Sequence, residues 1–208
     1  MAKYETEEEQ LNALKEWWKE NGRSVVAGII IGVGGLIGWK SWGSYQEQQA
    51  MEASDRYMQM SVAVRQQQVD EVIRHADNLK TQYKDTPYAV LGALTLAKIK
   101  AEIGDDQAAQ ENLQWAIQHA KQEHIRHLAQ LRLARIYIAQ KEWDAAQALL
   151  SEDYAVAYHS LRDEISGDLY VALGEVEKAR AAYEQALSTI GTNDTKFLQM
   201  KLDDLGKA

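Results

Sequence analysis

The stretch GRSVVAGIIIGVGGLIGWKSW, Gly22 to Trp42, constrains this chain of 208 residues more than any other feature. The 16 residues from Ser24 to Trp39 carry no charge. That is slightly short of a spanning helix, so on length alone an export signal, a permanent anchor and a buried core helix are all open. The flanks separate them. A signal peptide starts near the N-terminus and ends at a small-x-small cleavage site. Here 23 residues with six glutamates come first, and Trp39, Lys40, Trp42 and Tyr45 stand where cleavage would fall. If Lys40 lays its aliphatic stem along the helix, the apolar segment extends over 24–45. At about 1.5 Å per residue it then reaches about 33 Å, enough for a hydrocarbon core of about 30 Å. Trp17 and Trp18 before the run, and Trp39, Trp42 and Tyr45 at its end, suit the two membrane interfaces. Five glycines in the run argue against a soluble core helix, where each costs about 1 kcal/mol relative to alanine.

Positive charge close to the span sets the expected orientation. Lys3, Lys15, Lys19 and Arg23 precede it, whereas Lys40 and Arg56 follow. The expectation is a cytoplasmic N-terminal segment 1–23, a transmembrane helix 24–45 and an exported domain 46–208, periplasmic in a Gram-negative cell. The helix before the span would present Leu11, Leu14 and Trp18 on one face, either to the inner leaflet or as a cap on the anchor. The absence of cysteine fits either redox compartment. The exported part has 18 basic and 25 acidic residues, a net charge of −7, which repels a phosphate backbone and makes nucleic acid a poor partner.

One proline and one phenylalanine in the whole chain, with abundant Ala, Leu, Gln and Glu, describe an all-α protein. Three segments repeat: LAKIKAEIGDDQAAQENLQWAI, LARIYIAQKEWDAAQALL and SGDLYVALGEVEKARAAYEQAL. Their equivalent small residues are Ala109, Ala146 and Ala179, and Tyr137 and Tyr170 also correspond. Each copy reads as a helical hairpin. Gly167, with Ala97 and Ala134 as counterparts, and Ala179 permit close helix approach, while Tyr170 and Tyr183 fill the adjoining space. Gly104 and Gly174 fall at the turns, where a left-handed residue ends the first helix. Pro87 is expected at the first position of a helix behind a Thr86 cap. Residues 50–83 read as a degenerate hairpin with Val72, Ile73, Ala76 and Leu79 on its second helix. A closing helix is expected over 197–205 behind an Asp194 cap, and Gly191 follows the last repeat.

These copies resemble the tetratricopeptide repeat, a two-helix unit of about 34 residues. Lys100 replaces the aromatic in the first copy, and the usual proline after the second helix is missing. The fold implied is a single N-terminal transmembrane helix followed by a tetratricopeptide-like repeat domain. With ENGRSVVAGIIIGVGGLIGWKSW, LRLARIYIAQK and the terminal QMKLDDLGKA, the chain is similar to the YfgM family, ancillary subunits of the SecYEG translocon in Gram-negative inner membranes. The resemblance implies association with SecYEG and with a membrane-anchored PpiD-like chaperone. It also implies a part in handling exported polypeptides.

Tetratricopeptide folds bind partners on a concave face built from the first helices of the hairpins. By position, that face comprises Leu91, Leu94 and Lys98, then Leu128, Leu131 and Arg135, then Leu161, Glu164 and Asp168. Leucines stand where carboxylate-clamping repeats use Lys, Asn and Arg, so the groove should prefer an apolar segment or an amphipathic helix. The same leucines would equally serve as core between stacked hairpins. A scaffold that holds an envelope complex without touching unfolded chains is the alternative to a chaperone-like role.

Catalysis finds little support. His119, His124 and His127 lack a Cys or HExxH partner pattern and are expected to be solvated at a helix end. Asp105 with Asp106, and Asp203 with Asp204, are adjacent pairs that point to different sides of a helix or cap it. No glycine-rich phosphate loop is present. The reading is of a non-enzymatic protein without metal or cofactor. Within the apolar run, Gly28, Gly32 and Gly35 form a smooth stripe suited to packing against another transmembrane helix, favoured over a second pair, Gly34 with Gly38, the alternative being glycines without a packing role.

Overall fold

A computed structural model describes residues 7–189 and 195–206. The expected cap Asp194 and Gly191 lie outside them. Every regular element among the described residues is helical: α1 (Glu7–Arg65), α2 (Val69–Gln82), α3 (Pro87–Glu102), α4 (Asp106–His119), α5 (Glu123–Ala139), α6 (Trp143–Leu150), a 3-10 turn (Val156–Tyr158), α7 (His159–Ala172), α8 (Val176–Thr189) and α9 (Thr195–Asp204). The chain divides into two compact units, Met1–Gln49 and Ala50–Ala208. The backbone of α1 is helical through both sequence boundaries, 23/24 and 45/46.

In the first unit the apolar run is helical and exposed. Ile31, Leu36 and Trp39 are 74%, 72% and 82% accessible, and none of the most apolar window is buried. A core helix of a soluble domain would be covered, so that alternative is removed. Among the described residues this is the one helix long and apolar enough to cross a membrane. Leu11, Leu14 and Trp18 are likewise exposed.

The second unit is a stack of helical hairpins. Four apolar clusters follow one another along the chain, each shared by consecutive elements. The end of α1 contributes Ala53, Met60 and Ala63 to a cluster with Val72, Ala76 and Leu79 of α2 and Leu96 of α3. The next joins Ala93 and Ala97 of α3, Leu113 of α4 and Leu133 of α5. The third joins Leu131 and Ala134 of α5, Ala146 of α6, and Ile165 and Leu169 of α7. In the last, Ala179 and Tyr183 of α8 meet Leu198 of α9.

The hairpin turns show how backbone chemistry repeats where side chains do not. Gly104 and Gly174 have φ of +79° and +76°, as their positions require. Gln67 and Lys141 occupy the corresponding turns with φ of +58° and +64°. In each turn the amide three residues past the helix reaches back to the carbonyl five residues earlier: Gln68 to Ala63, Asp105 to Lys100, Glu142 to Tyr137 and Glu175 to Tyr170, at 2.8 to 3.0 Å. These bonds satisfy carbonyls that the helix end leaves free. The bond pattern therefore imposes the left-handed turn even on residues that resist it.

One expectation changes in detail and another is sharpened. Pro87 does begin α3, but the Thr86 hydroxyl donates back to the Tyr83 carbonyl at 2.8 Å and does not cap the helix. Gly167 does sit at a tight helix contact, and of the two tyrosines expected beside it Tyr183 makes the nearest approach: a Cβ there would lie 2.2 Å from the Tyr183 ring. Gly92, which the repeat pattern did not single out, makes a similar approach, its Cβ position lying 2.9 Å from Leu79 Cδ1.

Candidate functional site

The first helices of successive hairpins, the end of α1, α3 and α5, line a cleft of about 590 Å³. Its apolar surface comes from Tyr57 and Val64 of α1, Leu91 and Leu94 of α3, and Leu128 of α5; Lys98, Glu102 and Arg132 supply its charges. Leu91, Leu94, Lys98 and Leu128 are thus brought together as the concave-face positions suggest. Leu91 and Leu128 are half-buried and offer side-chain surface. Leu94 is 4% exposed and mainly belongs to the core between α3, α4 and α5. Leu131 is fully buried among α5, α6 and α7, which removes it from any accessible groove. The helix presents Leu128 and Leu131 in different directions because three residues turn it by about 300°, a difference that decides burial at the edge of an apolar stripe.

The far end of the strip is ionic and closed on itself. Arg135 meets Glu164 at 3.1 Å, Lys201 meets Glu164 at 2.9 Å and both oxygens of Asp168 at 2.6 and 2.8 Å. The Tyr183 hydroxyl donates to Asp168 at 2.8 Å, and burial together with that carboxylate pushes the phenol well above its ordinary pKa. Lys201 also lies 4.9 Å from the centre of the Phe197 ring. So α9 takes the groove positions Glu164 and Asp168 as its own anchor, while Leu161 packs half-buried against the third cluster. These four paired charges occupy the concave side of the last repeat. What remains open is the cleft of α1, α3 and α5. Sequence reasoning did not nominate Tyr57, Val64 or Arg132, because the first hairpin lacks the repeat's residue pattern and Arg132 falls between the periodic leucines.

The histidines are not the solvated group expected. His127 is 4% exposed, with its ring 4.9 Å from Tyr154 and edge-on to Tyr158 at 5.6 Å. Burial pushes the Tyr154 hydroxyl up to about 12, and it donates to the Leu149 carbonyl at 3.0 Å. His119 stacks on Trp115 at 4.0 Å. His124 remains exposed. Aromatic packing thus engages two of the three. Among the described residues no three His, Cys, Asp or Glu side chains converge as metal ligands would.

Comparison with known proteins now adds to this geometry. A family model described as a tetratricopeptide repeat-like domain matches residues 15–207. An ancillary SecYEG translocon subunit of Haemophilus influenzae is 31% identical over 201 residues, 96% of this chain and 97% of that one. The chain belongs to this family. A relative of the same description from Escherichia coli K12 is 31% identical over 97% of this chain and 98% of its own. One from Neisseria gonorrhoeae is 27% identical over 99% and 100%. The family match therefore takes in the exposed apolar helix as well as the hairpins. No solved structure matches.

Proposed function

We propose that the protein is a non-enzymatic accessory subunit of the Sec translocon, held in a bacterial inner membrane by residues 24–45. Residues 1–23 lie in the cytoplasm and 46–208 in the periplasm. There the repeat domain holds a PpiD-like membrane-anchored chaperone, exported polypeptides, or both, in the cleft of α1, α3 and α5. The observation that carries this reading is the similarity to ancillary SecYEG subunits along almost the whole of both chains. The exposed apolar helix supports the anchor, and the half-open leucines of the cleft support the binding role.

The test is crosslinking in cells followed by mild detergent extraction. SecYEG and chaperone subunits should copurify, and their absence overturns the assignment. Protease added outside spheroplasts should digest the domain after Tyr45 and leave a small protected fragment; full protection reverses the orientation. Recovery of folded partners with no affinity for unfolded model chains would replace the chaperone-like role by a scaffold.

The glycine stripe belongs to the same proposal. A Cβ added at Gly28, Gly32 or Gly35 meets nothing within 4 Å, so the stripe is free to pack against a transmembrane helix of a partner. Replacing Gly28 and Gly32 with Ile should preserve insertion and weaken copurification. The same change at Val25 and Val33 should not, and equal recovery from both variants makes the helix an anchor only.

A further inference from the structure

Among the described residues, the charges that line the cleft and the groove positions are paired, with one exception inside the cleft. Lys98 meets Glu102 at 3.6 Å on the solvated rim, and Arg135 and Lys201 are held by Glu164 and Asp168. Arg132 lines the cleft, is half-buried, and among the described residues has no carboxylate or carbonyl partner. Burial and the neighbouring Arg135 push its guanidinium below its ordinary pKa, although it remains charged. A guanidinium partly withdrawn from water beside a like charge is electrostatically incomplete, and its planar fork of donors matches one carboxylate.

Three features restrict what could complete it. Apart from the paired Lys98 and Glu102 at its rim, the cleft that Arg132 lines is mainly apolar, with Tyr57, Val64, Leu91 and Leu128, so the occupant must bring apolar side chains beside its charge. The domain as a whole carries a net charge of −7, which repels a strongly acidic ligand at long range and leaves only a local attraction for a single anion. A chain leaving a channel presents side-chain carboxylates throughout its length and its C-terminal carboxylate once, at the end.

We propose that the cleft recognises an apolar polypeptide segment bearing one Asp or Glu side chain, the carboxylate pairing with Arg132 while its apolar neighbours cover Leu91 and Leu128. This rests on the proposed polypeptide-binding role and gives it a chemical selectivity: apolar segments interrupted by a single acid are preferred over purely apolar ones. Arg132 is the anchor, and the leucines supply affinity without discriminating charge.

The test uses the full chain in nanodiscs and fluorescence anisotropy of short acetylated, amidated peptides. One has a central Glu among apolar residues, a second has Gln there, and a third has Gln with a free C-terminal carboxylate. The Glu peptide should bind about tenfold or more tightly than the Gln peptide. Arg132→Gln should abolish that ratio without weakening the Gln peptide, and Arg132→Lys should keep part of it. Leu91→Asn should weaken both peptides alike. Melting curves are expected to be unchanged for the Arg132 variants, since the side chain has no partner among the described residues. Equal binding of Glu and Gln peptides to the unaltered protein overturns this selectivity while leaving polypeptide binding in place. A Glu preference that survives Arg132→Gln overturns the anchor. Tightest binding of the free-carboxylate peptide overturns the side-chain source, and no binding of any peptide overturns both this inference and the role on which it rests.

Discussion

Gly167 and Gly32 both lie inside helices, and their surroundings are opposite. A Cβ on Gly167 would sit 2.2 Å from the ring of Tyr183, a residue 2% exposed and held by Asp168; a Cβ on Gly32 would meet nothing within 4 Å. The same contrast separates the two units at large. In the repeat domain, apolar groups close upon one another in four clusters, so the chain supplies its own complement. In the N-terminal helix, Ile29, Ile30, Ile31 and Leu36 face outward, and their complement must come from outside the chain. A residue type thus says what a surface can do, and the neighbours decide whether that capacity is already used.

The largest expected effect comes from filling the closed glycine. Gly167→Leu should cost about 1 to 3 kcal/mol or more by overpacking, with the domain losing roughly 2 to 4 °C of melting temperature per kcal/mol. Gly32→Leu should leave the domain's melting unchanged. Equal melting of both variants would erase the distinction between them.

Next in size is the seal at the end of the repeats. Lys201→Ala leaves Glu164, whose side chain is only 14% exposed, with Arg135 alone, and it frees Asp168 from its cation. A loss of about 1 to 3 kcal/mol follows from removing a charged hydrogen-bond partner. Hydrogen exchange should speed up in α9 while α3 to α5 keep their protection. Uniform acceleration would show that α9 is integral to the stack and not a local closure.

The turns offer a smaller and opposite change. Lys141 holds φ of +64°, which costs roughly 1 to 2 kcal/mol for a residue with a Cβ. Lys141→Gly should therefore stabilise the domain by about 0.5 to 1 kcal/mol, after the extra freedom glycine gives the unfolded chain is subtracted. Gly174→Ala should destabilise it, and thermal melts of the two variants should move in opposite directions.

The smallest effect concerns pH. Lys100 and the Ala108 amide hold Asp105, the cap of α4, below its ordinary pKa of 3.8. A depressed carboxylate stabilises the fold above its unfolded pKa and loses that contribution as pH falls through the folded value. The melting difference between the parent and Asp105→Asn should be present at neutral pH and shrink below about pH 4. A difference that stays constant in acid would show that the cap acts through its geometry and not its charge.

Much of this was legible because burial in repeats is periodic. The Ala109, Ala146 and Ala179 register, the glycine turns and the degenerate first hairpin all follow from small and apolar residues recurring at helical spacing. The site was less legible. Leu91, Lys98 and Leu128 fall on an open face by position, but Leu131 shares their periodicity and is core, and Glu164 and Asp168 are consumed by Lys201 from a helix 33 to 37 residues away. Such a pairing leaves no local trace. Similarly, Gln67 and Lys141 gave no turn signal, because hydrogen bonds force a conformation that their own side chains disfavour.

The sequence by itself determined the exposed apolar helix, the all-helical character and the hairpin count, since each depends on residue type and spacing along one helix. Tertiary structure alone decided that His127 is buried between tyrosines, that Lys201 takes Glu164 and Asp168, and that Arg132 stands in the cleft without a partner among the described residues. The physical reason is distance. Periodicity is a property of neighbours three and four residues apart, whereas the pairing of a charge or the filling of a void depends on side chains that only the stacked hairpins bring together.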